Sequence, residues 1–322
     1  MRTFDLSERP PVRSRIVEVH HLSQAVQTLK RSMGDFGRYV PTQLVRRLVA
    51  GEMTAEIGGD RCEVSLLFTD IADFTTISES IEPTALMREV SEYLAEASST
   101  LIEHGATIDK YIGDAIMAMW NAPVRQENHV ELACRATLET SNVIDRLNER
   151  RLSDGRPPFY TRFGLHVGEA VVGNVGSEER MNYTALGETV NLAARLEGLN
   201  KQLGTKILIS EVFLQALPEG FVARPVDMVR PKGTTRPLRV FELITPGQYV
   251  EGETGETHLE SWGVCYTAYS ERRWTDAVAE FDRHVQDFPN DAAAVVLRAR
   301  AASYIDFPPP ADWDGVFEAE TK

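Results

Sequence analysis

The apolar positions of the chain change rhythm several times, and each rhythm predicts an element. Near the start, Val19, Leu22, Val26, Leu29, Met33, Phe36 and Val40 recur at alternating spacings of three and four. That is a heptad seam. It fits an amphipathic helix lying on its own domain, and equally a parallel two-helix coiled coil that delivers a signal. Pro41 ends or kinks the segment, because the residue before a proline is pushed out of the helical region. Ahead of it, residues 1–13 are polar, contain Pro10 and Pro11, and read as loose.

Further along, Gly58-Gly59-Asp60 reads as a turn before a short apolar strand, Val64–Phe68. Residues 83–104 carry Leu86, Val90, Tyr93, Leu94, Ala97 and Leu101 on one helical face. Thr107–Ile112 and Ala115–Trp120 read as strands joined by a two-residue turn, Gly113-Asp114. Residues 128–150 and 187–202 read as helices, and Ile207–Ile209 and Leu238–Leu243 as late strands. Arg162–Val167 and Ala170–Val175 read as a second hairpin around Gly168-Glu169. Strands and helices interleave without strict alternation. This predicts an α+β fold, with an antiparallel or mixed sheet and helices on one face. After residue 246, Gly247, Gly252 and Gly255 mark a polar linker, and residues 259–305 read as two or three helices. There Ala277, Phe281 and Pro289 fall at offsets of a tetratricopeptide repeat. A single repeat cannot bury its own face, so this segment is expected to pack on something else. The layout is an N-terminal helix in residues 1–45, a central domain in 58–245 and a helical region in 256–322.

Composition narrows the function. A net charge of −14 argues against broad nucleic-acid binding, which needs a basic footprint. Cys62, Cys134 and Cys265 have no metal or redox spacing and read as reduced thiols of a cytoplasmic protein. No apolar run approaches about 18 residues, so no membrane span is expected. The N-terminus lacks the apolar core of a signal peptide.

Asp70 and Asp114 each follow an apolar stretch that reads as a strand. Two carboxylates on adjacent strand ends suit a pair of divalent cations for phosphoryl chemistry. Taken singly, Asp70 could equally cap the following helix, and Asp114 could be a turn residue.

Five segments in order, Phe68–Thr75, Lys110–Asp114, Gly164–Gly176, Tyr183–Arg195 and Lys232-Gly233, resemble the catalytic domain of class III nucleotidyl cyclases. The resemblance covers roughly residues 58–245 and is closest to bacterial adenylate cyclases. It implies a ferredoxin-like βαββαβ-type cyclase sandwich that converts ATP to 3′,5′-cyclic AMP and pyrophosphate. It implies two divalent cations, Mg²⁺ or Mn²⁺, held by Asp70, Asp114 and the Ile71 carbonyl. Backbone N–H groups around Phe74 and Thr75, where the next helix begins, would cradle phosphate. Lys110 and Thr184 would read adenine. Lysine is only a donor and suits an adenine acceptor, whereas guanylate-type relatives carry an acidic residue there. Asn191 and Arg195, four apart on one helix, would orient the ribose and stabilise charge on the α-phosphate. Lys232 would contact the terminal phosphates. Seen without that context, Asn191, Arg195 and Lys232 are ordinary solvated side chains.

The Lys/Thr pair also resembles the subgroup that includes bicarbonate-responsive cyclases, in which Arg180 would bind phosphate or a bicarbonate effector. His166 reads as structural. The resemblance further implies a head-to-tail homodimer with two shared sites. The heptad helix resembles the output helix that links membrane sensors to cyclases, although no sensor or span is read here. A guanylate cyclase and a catalytically silent, dimeric nucleotide-binding regulator are the alternatives. A diguanylate cyclase does not fit, because Gly58-Gly59-Asp60 continues as Arg61-Cys62 ahead of the first strand.

Overall fold

The computed structural model describes residues 16–36, 39–231, 236–245, 257–310 and 312–319. Along the chain, helices α1 (Val17–Phe36) and α2 (Thr42–Val49) precede strand β1 (Gly58–Ile71), α3 (Phe74–Glu79) and α4 (Pro83–Glu103). The hairpin β2 (Thr107–Ile112) and β3 (Ala115–Trp120) leads to α5 (His129–Ser153) and the long β4 (Thr161–Gly176). Next come β5 (Met181–Leu186), α6 (Glu188–Leu203), β6 (Ile207–Ser210), α7 (Glu211–Gln215), β7 (Ala223–Arg230) and β8 (Leu238–Leu243). Three helices, α8 (His258–Ser270), α9 (Trp274–Asp287) and α10 (Ala292–Asp306), and a short β9 (Phe317–Glu318) complete it.

The chain forms two compact units. One joins the described residues up to Gly59 with Gly173–Tyr183; the other holds Asp60–Val172 with Thr184 onward. In the second unit the sheet runs β2-β3-β1-β4-β6-β8-β7-β9, with β5 on β4. The first four strands stand in the order β4-β1-β3-β2, that of a ferredoxin-like βαββαβ unit. Pairing is mixed: β1–β3, β2–β3, β6–β8 and β7–β8 are antiparallel, while β4–β6 and β7–β9 are parallel.

Helices cover both faces, where one was expected. Ile207 and Ile209 join the core under α4 and α5, with Leu67, Tyr93, Leu101, Trp120 and Phe163. Leu208 points the other way and joins Leu196, Leu199 and Leu203 of α6. Successive strand residues face opposite sides, so a strand buried throughout needs cover on both. Burial on both faces shows no alternation that a sequence reading could catch.

The expected hairpin at Gly168-Glu169 is absent. Arg162–Val175 lies within the single strand β4, and the chain reverses at Ser177–Arg180. Gly168 serves packing: a Cβ there would sit 3.2 Å from the Thr189 side chain. Gly58-Gly59 is likewise the start of β1 and not a turn; a Cβ on Gly173 would lie 2.1 Å from the Gly58 carbonyl. In that first unit, Asn174 Nδ2 donates to the Glu56 carbonyl at 3.0 Å. The heptad segment is a helix, but α1 ends before Val40, and α2 starts after Pro41. Val19, Leu22, Val26 and Leu29 are exposed along α1. The Met33 and Phe36 side chains, the loose segment 1–13 and the glycine linker after 246 lie outside the described residues.

The C-terminal helices pack on the sheet. Arg224 of β7 is 3% exposed and pairs with Glu242 of β8 (Nε–Oε2 2.8 Å) and with both oxygens of Asp291 at the start of α10. Its guanidinium lies 3.7 Å over the Trp262 ring of α8, and Trp262 Nε1 donates to the Pro225 carbonyl at 2.9 Å. Asp291 Oδ2 also accepts from His258 and His284 at 2.8 and 2.9 Å. These three residues are spaced like metal ligands, but Arg224 already supplies the cation. Ala277 and Phe281 are buried in the interior of the three helices.

Removing one partner of a buried ion pair strands the other, at about 3–5 kcal/mol. Asp291→Ala should therefore lower stability by about 3 kcal/mol in urea unfolding. A variant as stable as the parent would show that this cluster does not hold the helices down.

Candidate active site

The site begins with strand register. In the β1–β3 ladder Thr69 faces Ile116, so the end of β1 arrives beside the Gly113-Asp114 turn. Gly113 takes the turn at φ 66°, where glycine costs nothing. Asp114 is buried, and its Oδ2 accepts the Ile71 N–H at 3.0 Å. Asp70 lies against it. Burial first, then the Asp114 charge and a hydrogen bond to it, push the Asp70 carboxyl up from 3.8 to about 7; Arg162 opposes the shift. Glu197 of α6 is pushed up to about 8 by burial and then by Asp70, again eased by Arg162. Three carboxylates thus converge where Arg162 is the cation acting on both Asp70 and Glu197. Carboxylate oxygens set this close together suit a hard divalent cation, which prefers oxygen ligands.

Asp70 does not cap the following helix, whereas Asp114 does stand in the turn between β2 and β3 and also accepts the Ile71 N–H. The N-cap position of α3 is Asp73, at φ 55°, and its side chain pairs with Lys201 at 3.3 Å. The Ala72 N–H is taken by the Tyr160 carbonyl at 2.7 Å. The first turn of α3 leaves the N–H groups of Phe74 and Thr75 without helical acceptors. The Phe74 ring turns into the core, so only its backbone could face a ligand.

A second group forms around β2. Lys110 Nζ donates to Thr184 Oγ1 at 3.2 Å, joining residues that are distant in sequence. Thr184 in turn donates to Asp109 Oδ2 at 2.5 Å, and Lys110 lies 3.1 Å from Asp109 Oδ1. The β2–β3 register shifts between Ile108 and Lys110, a bulge at Asp109. In a regular strand Asp109 and Lys110 would point to opposite faces; a bulge re-aims them.

Helix α6 carries the third group. Gly187 precedes it, and Asn191 (exposed) and Arg195 (half-buried) stand one turn apart. Neither side chain hydrogen-bonds another of the described residues. The helix approaches β4 closely: a Cβ on Gly164 would lie 2.2 Å from the Glu197 nitrogen. His166 is structural; its Nδ1 meets Ser210 Oγ at 2.7 Å, and burial pushes its pKa down to about 4. Arg180 is exposed at the β4–β5 turn, in the other compact unit. Lys232 lies outside the described residues.

Residues 60–244 match the family model described as the adenylate and guanylate cyclase catalytic domain. The chain belongs to this family. Adenylate cyclase 1 of Rhizobium meliloti is 38% identical over 247 residues, covering 76% of this chain and 37% of that protein. An adenylate cyclase of Anabaena cylindrica is 33% identical over 259 residues, covering 74% and 51%. The chain thus spans between about a third and a half of these relatives. The adenylyl cyclase CyaB from P. aeruginosa superposes with a TM-score of 0.55 at 29% identity, covering 58% of this chain and 96% of that one. The guanylyl cyclase Cya2 does so with 0.54 at 30%, covering 59% and 95%. The fold is therefore that of a class III cyclase domain, and overall similarity does not choose the nucleotide.

Asp109, Arg162 and Glu197 were not singled out in the sequence. The usable signal was weak: a carboxylate beside Lys110, and a charged residue at the start of an apolar strand. What gives them meaning is the bulge and the approach of α6 to β4.

The carboxylate pair predicts a response to cations in this cyclase domain. Because the folded Asp70 carboxyl titrates near 7, ionising it costs stability as pH rises from about 4 to 7, and the full cost is present above that. Mn²⁺ or Mg²⁺ should raise the melting temperature more at pH 8 than at pH 5.5, where a proton must first be displaced. Asp70→Asn should abolish that rise and melt higher than the cation-free parent at pH 8. Equal shifts at both pH values, read by calorimetry, would contradict the assignment.

Proposed function

We propose that this chain is an adenylate cyclase, forming 3′,5′-cyclic AMP and pyrophosphate from ATP. The observation that carries the choice of nucleotide is the Lys110–Thr184 hydrogen bond at 3.2 Å, which makes one base-reading unit of the two residues. Lys110 offers only donors and suits adenine N1; guanine presents an N–H there. Arg195 and Asn191 are polar groups left free on α6 for phosphate and ribose.

Asp70, Asp114 and the Ile71 carbonyl would hold the divalent cations, which when bound supply charge neutralisation and acidify the ribose 3′-hydroxyl. The chain's own residues do the positioning. Lys110 and Thr184 fix the base and Asn191 the ribose, so that the 3′-oxygen faces the α-phosphorus in line with the leaving pyrophosphate. The Arg195 guanidinium stabilises charge gathering on the α-phosphate, with a fixed fork of donors aimed at its oxygens. Backbone N–H groups at Phe74 and Thr75, with Lys232, hold the β- and γ-phosphates. Bicarbonate acting through Arg180 belongs to the same reading of the residues.

In this reading the working unit is a head-to-tail homodimer. Metal residues of one protomer face the base-reading residues of its partner, which gives two equivalent sites by two-fold symmetry. The exposed apolar stripe of α1 supports a parallel pairing of the N-terminal helices.

Purified protein assayed with ATP or GTP and Mg²⁺ or Mn²⁺ should yield cyclic AMP in preference to cyclic GMP. Arg195→Ala should lower kcat roughly 100-fold or more. Asp70→Ala and Lys110→Ala chains, each inactive, should recover activity when mixed, since one site of the mixed dimer is intact. Two folded, dimeric variants that stay inactive together would argue against shared sites. Cyclic GMP as the main product would favour the guanylate reading.

A further inference from the structure

We propose that Asp109 is a positioning residue that sets nucleotide specificity by fixing the direction of the Thr184 hydroxyl. The inference rests on Lys110 and Thr184 being the base-reading pair. The Asp109 side chain is 1% exposed, against 40% for Lys110. Asp109 thus lies behind the pair, out of a ligand's reach. Its Oδ2 is 2.5 Å from Thr184 Oγ1, and its Oδ1 is 3.1 Å from the Lys110 ammonium.

Counting hydrogens settles what Thr184 can offer. An ion-paired carboxylate only accepts, and an ammonium only donates. The single hydroxyl hydrogen of Thr184 therefore goes to Asp109. The alternative acceptor, the Ala185 carbonyl, is 3.5 Å away and competes poorly. One Thr184 lone pair receives Lys110 at 3.2 Å. What remains for a base is the second lone pair. A threonine alone can turn to donate or accept, and would tolerate an amino group or a carbonyl at purine C6. Held by Asp109, it accepts only. Lys110 and Thr184 then present one donor and one acceptor, matching adenine N1 and its 6-amino group. Guanine meets an acceptor against its O6 and a donor against its N1–H. The bulge makes this possible, because it lets adjacent residues of β2 both reach Thr184.

The test uses the full chain and two triphosphates of nearly equal shape. N6-methyladenosine triphosphate carries an N–H at C6; 6-methoxypurine riboside triphosphate carries an oxygen acceptor. Both keep the N1 acceptor that Lys110 needs. The parent should prefer the methylamino compound by roughly tenfold or more in kcat/KM. In Asp109→Asn, whose amide can donate to Thr184 and free its hydroxyl hydrogen, the preference should shrink to about threefold or less. The ATP-over-GTP ratio should fall in parallel. On a Thr184→Ala background, Asp109→Asn should change neither ratio further, as required if Asp109 acts through Thr184. Equal use of the two analogues by the parent overturns the proposal, and so does an unchanged preference in Asp109→Asn. If that variant does not fold, the parent's analogue preference decides alone. A parent that prefers GTP to ATP overturns the base-reading assignment itself, a separate outcome read before any variant is made.

Discussion

Two like charges held side by side at the ends of neighbouring strands are the constraint on which this site depends. A chain gains nothing by pressing Asp70 against Asp114; burial and mutual repulsion together drive the Asp70 carboxyl up to about 7. Such a pair persists only where the surroundings over-determine it. Here the β1–β3 register, the tight Gly113-Asp114 turn and the hydrogen bond from Ile71 to Asp114 do so. Arg162 of β4 opposes the upward shift of both Asp70 and Glu197. Closely set carboxylate oxygens of this kind suit a hard divalent cation.

The polar groups of α6 and β2 are carried by rigid elements. Gly164 has no side chain because α6 lies too close to β4 to admit one, and a Cβ at Gly168 would press on the Thr189 side chain at 3.2 Å. That contact sets where Asn191 and Arg195 stand. The bulge at Asp109 similarly turns one strand edge into a three-residue network with Thr184. Groups set on strands and packed helices keep their geometry better than groups on loops.

Beyond the site, the C-terminal helices are held to the sheet through a charged cluster. Arg224 bridges Glu242 of β8 and Asp291 of α10 while stacking on Trp262 of α8. Arg300 of α10 pairs with Asp227 of β7 and lies 3.7 Å over the Phe317 ring. A buried pair of this kind adds less stability than apolar packing would, yet it penalises misdocking heavily, because a misplaced helix strands a buried charge. The segment that resembles a single repeat thus finds its missing partner in the sheet.

Much of this was legible along the chain. The β2–β3 hairpin follows from two apolar runs around Gly-Asp, and the α4 and α5 helices follow from their periodic apolar faces. Asp70 and Asp114 stand out as carboxylates at strand ends, whereas Lys110, Asn191 and Arg195 stand out only through the resemblance to the cyclase family. Gly168-Glu169 reads as a turn although it lies inside β4, because a glycine packed beneath a helix looks the same in sequence as one in a turn. The second helical layer was missed because a strand buried on both faces shows no alternation. Asp109, Arg162 and Glu197 stayed hidden for a related reason: each acts through a neighbour from another element. Residue types and the order of their motifs suffice for the family and for the kinds of groups available. Which of these groups meet follows only from the packing of β1, β2, β4, β5 and α6, because distances between separate segments are not encoded in any local pattern.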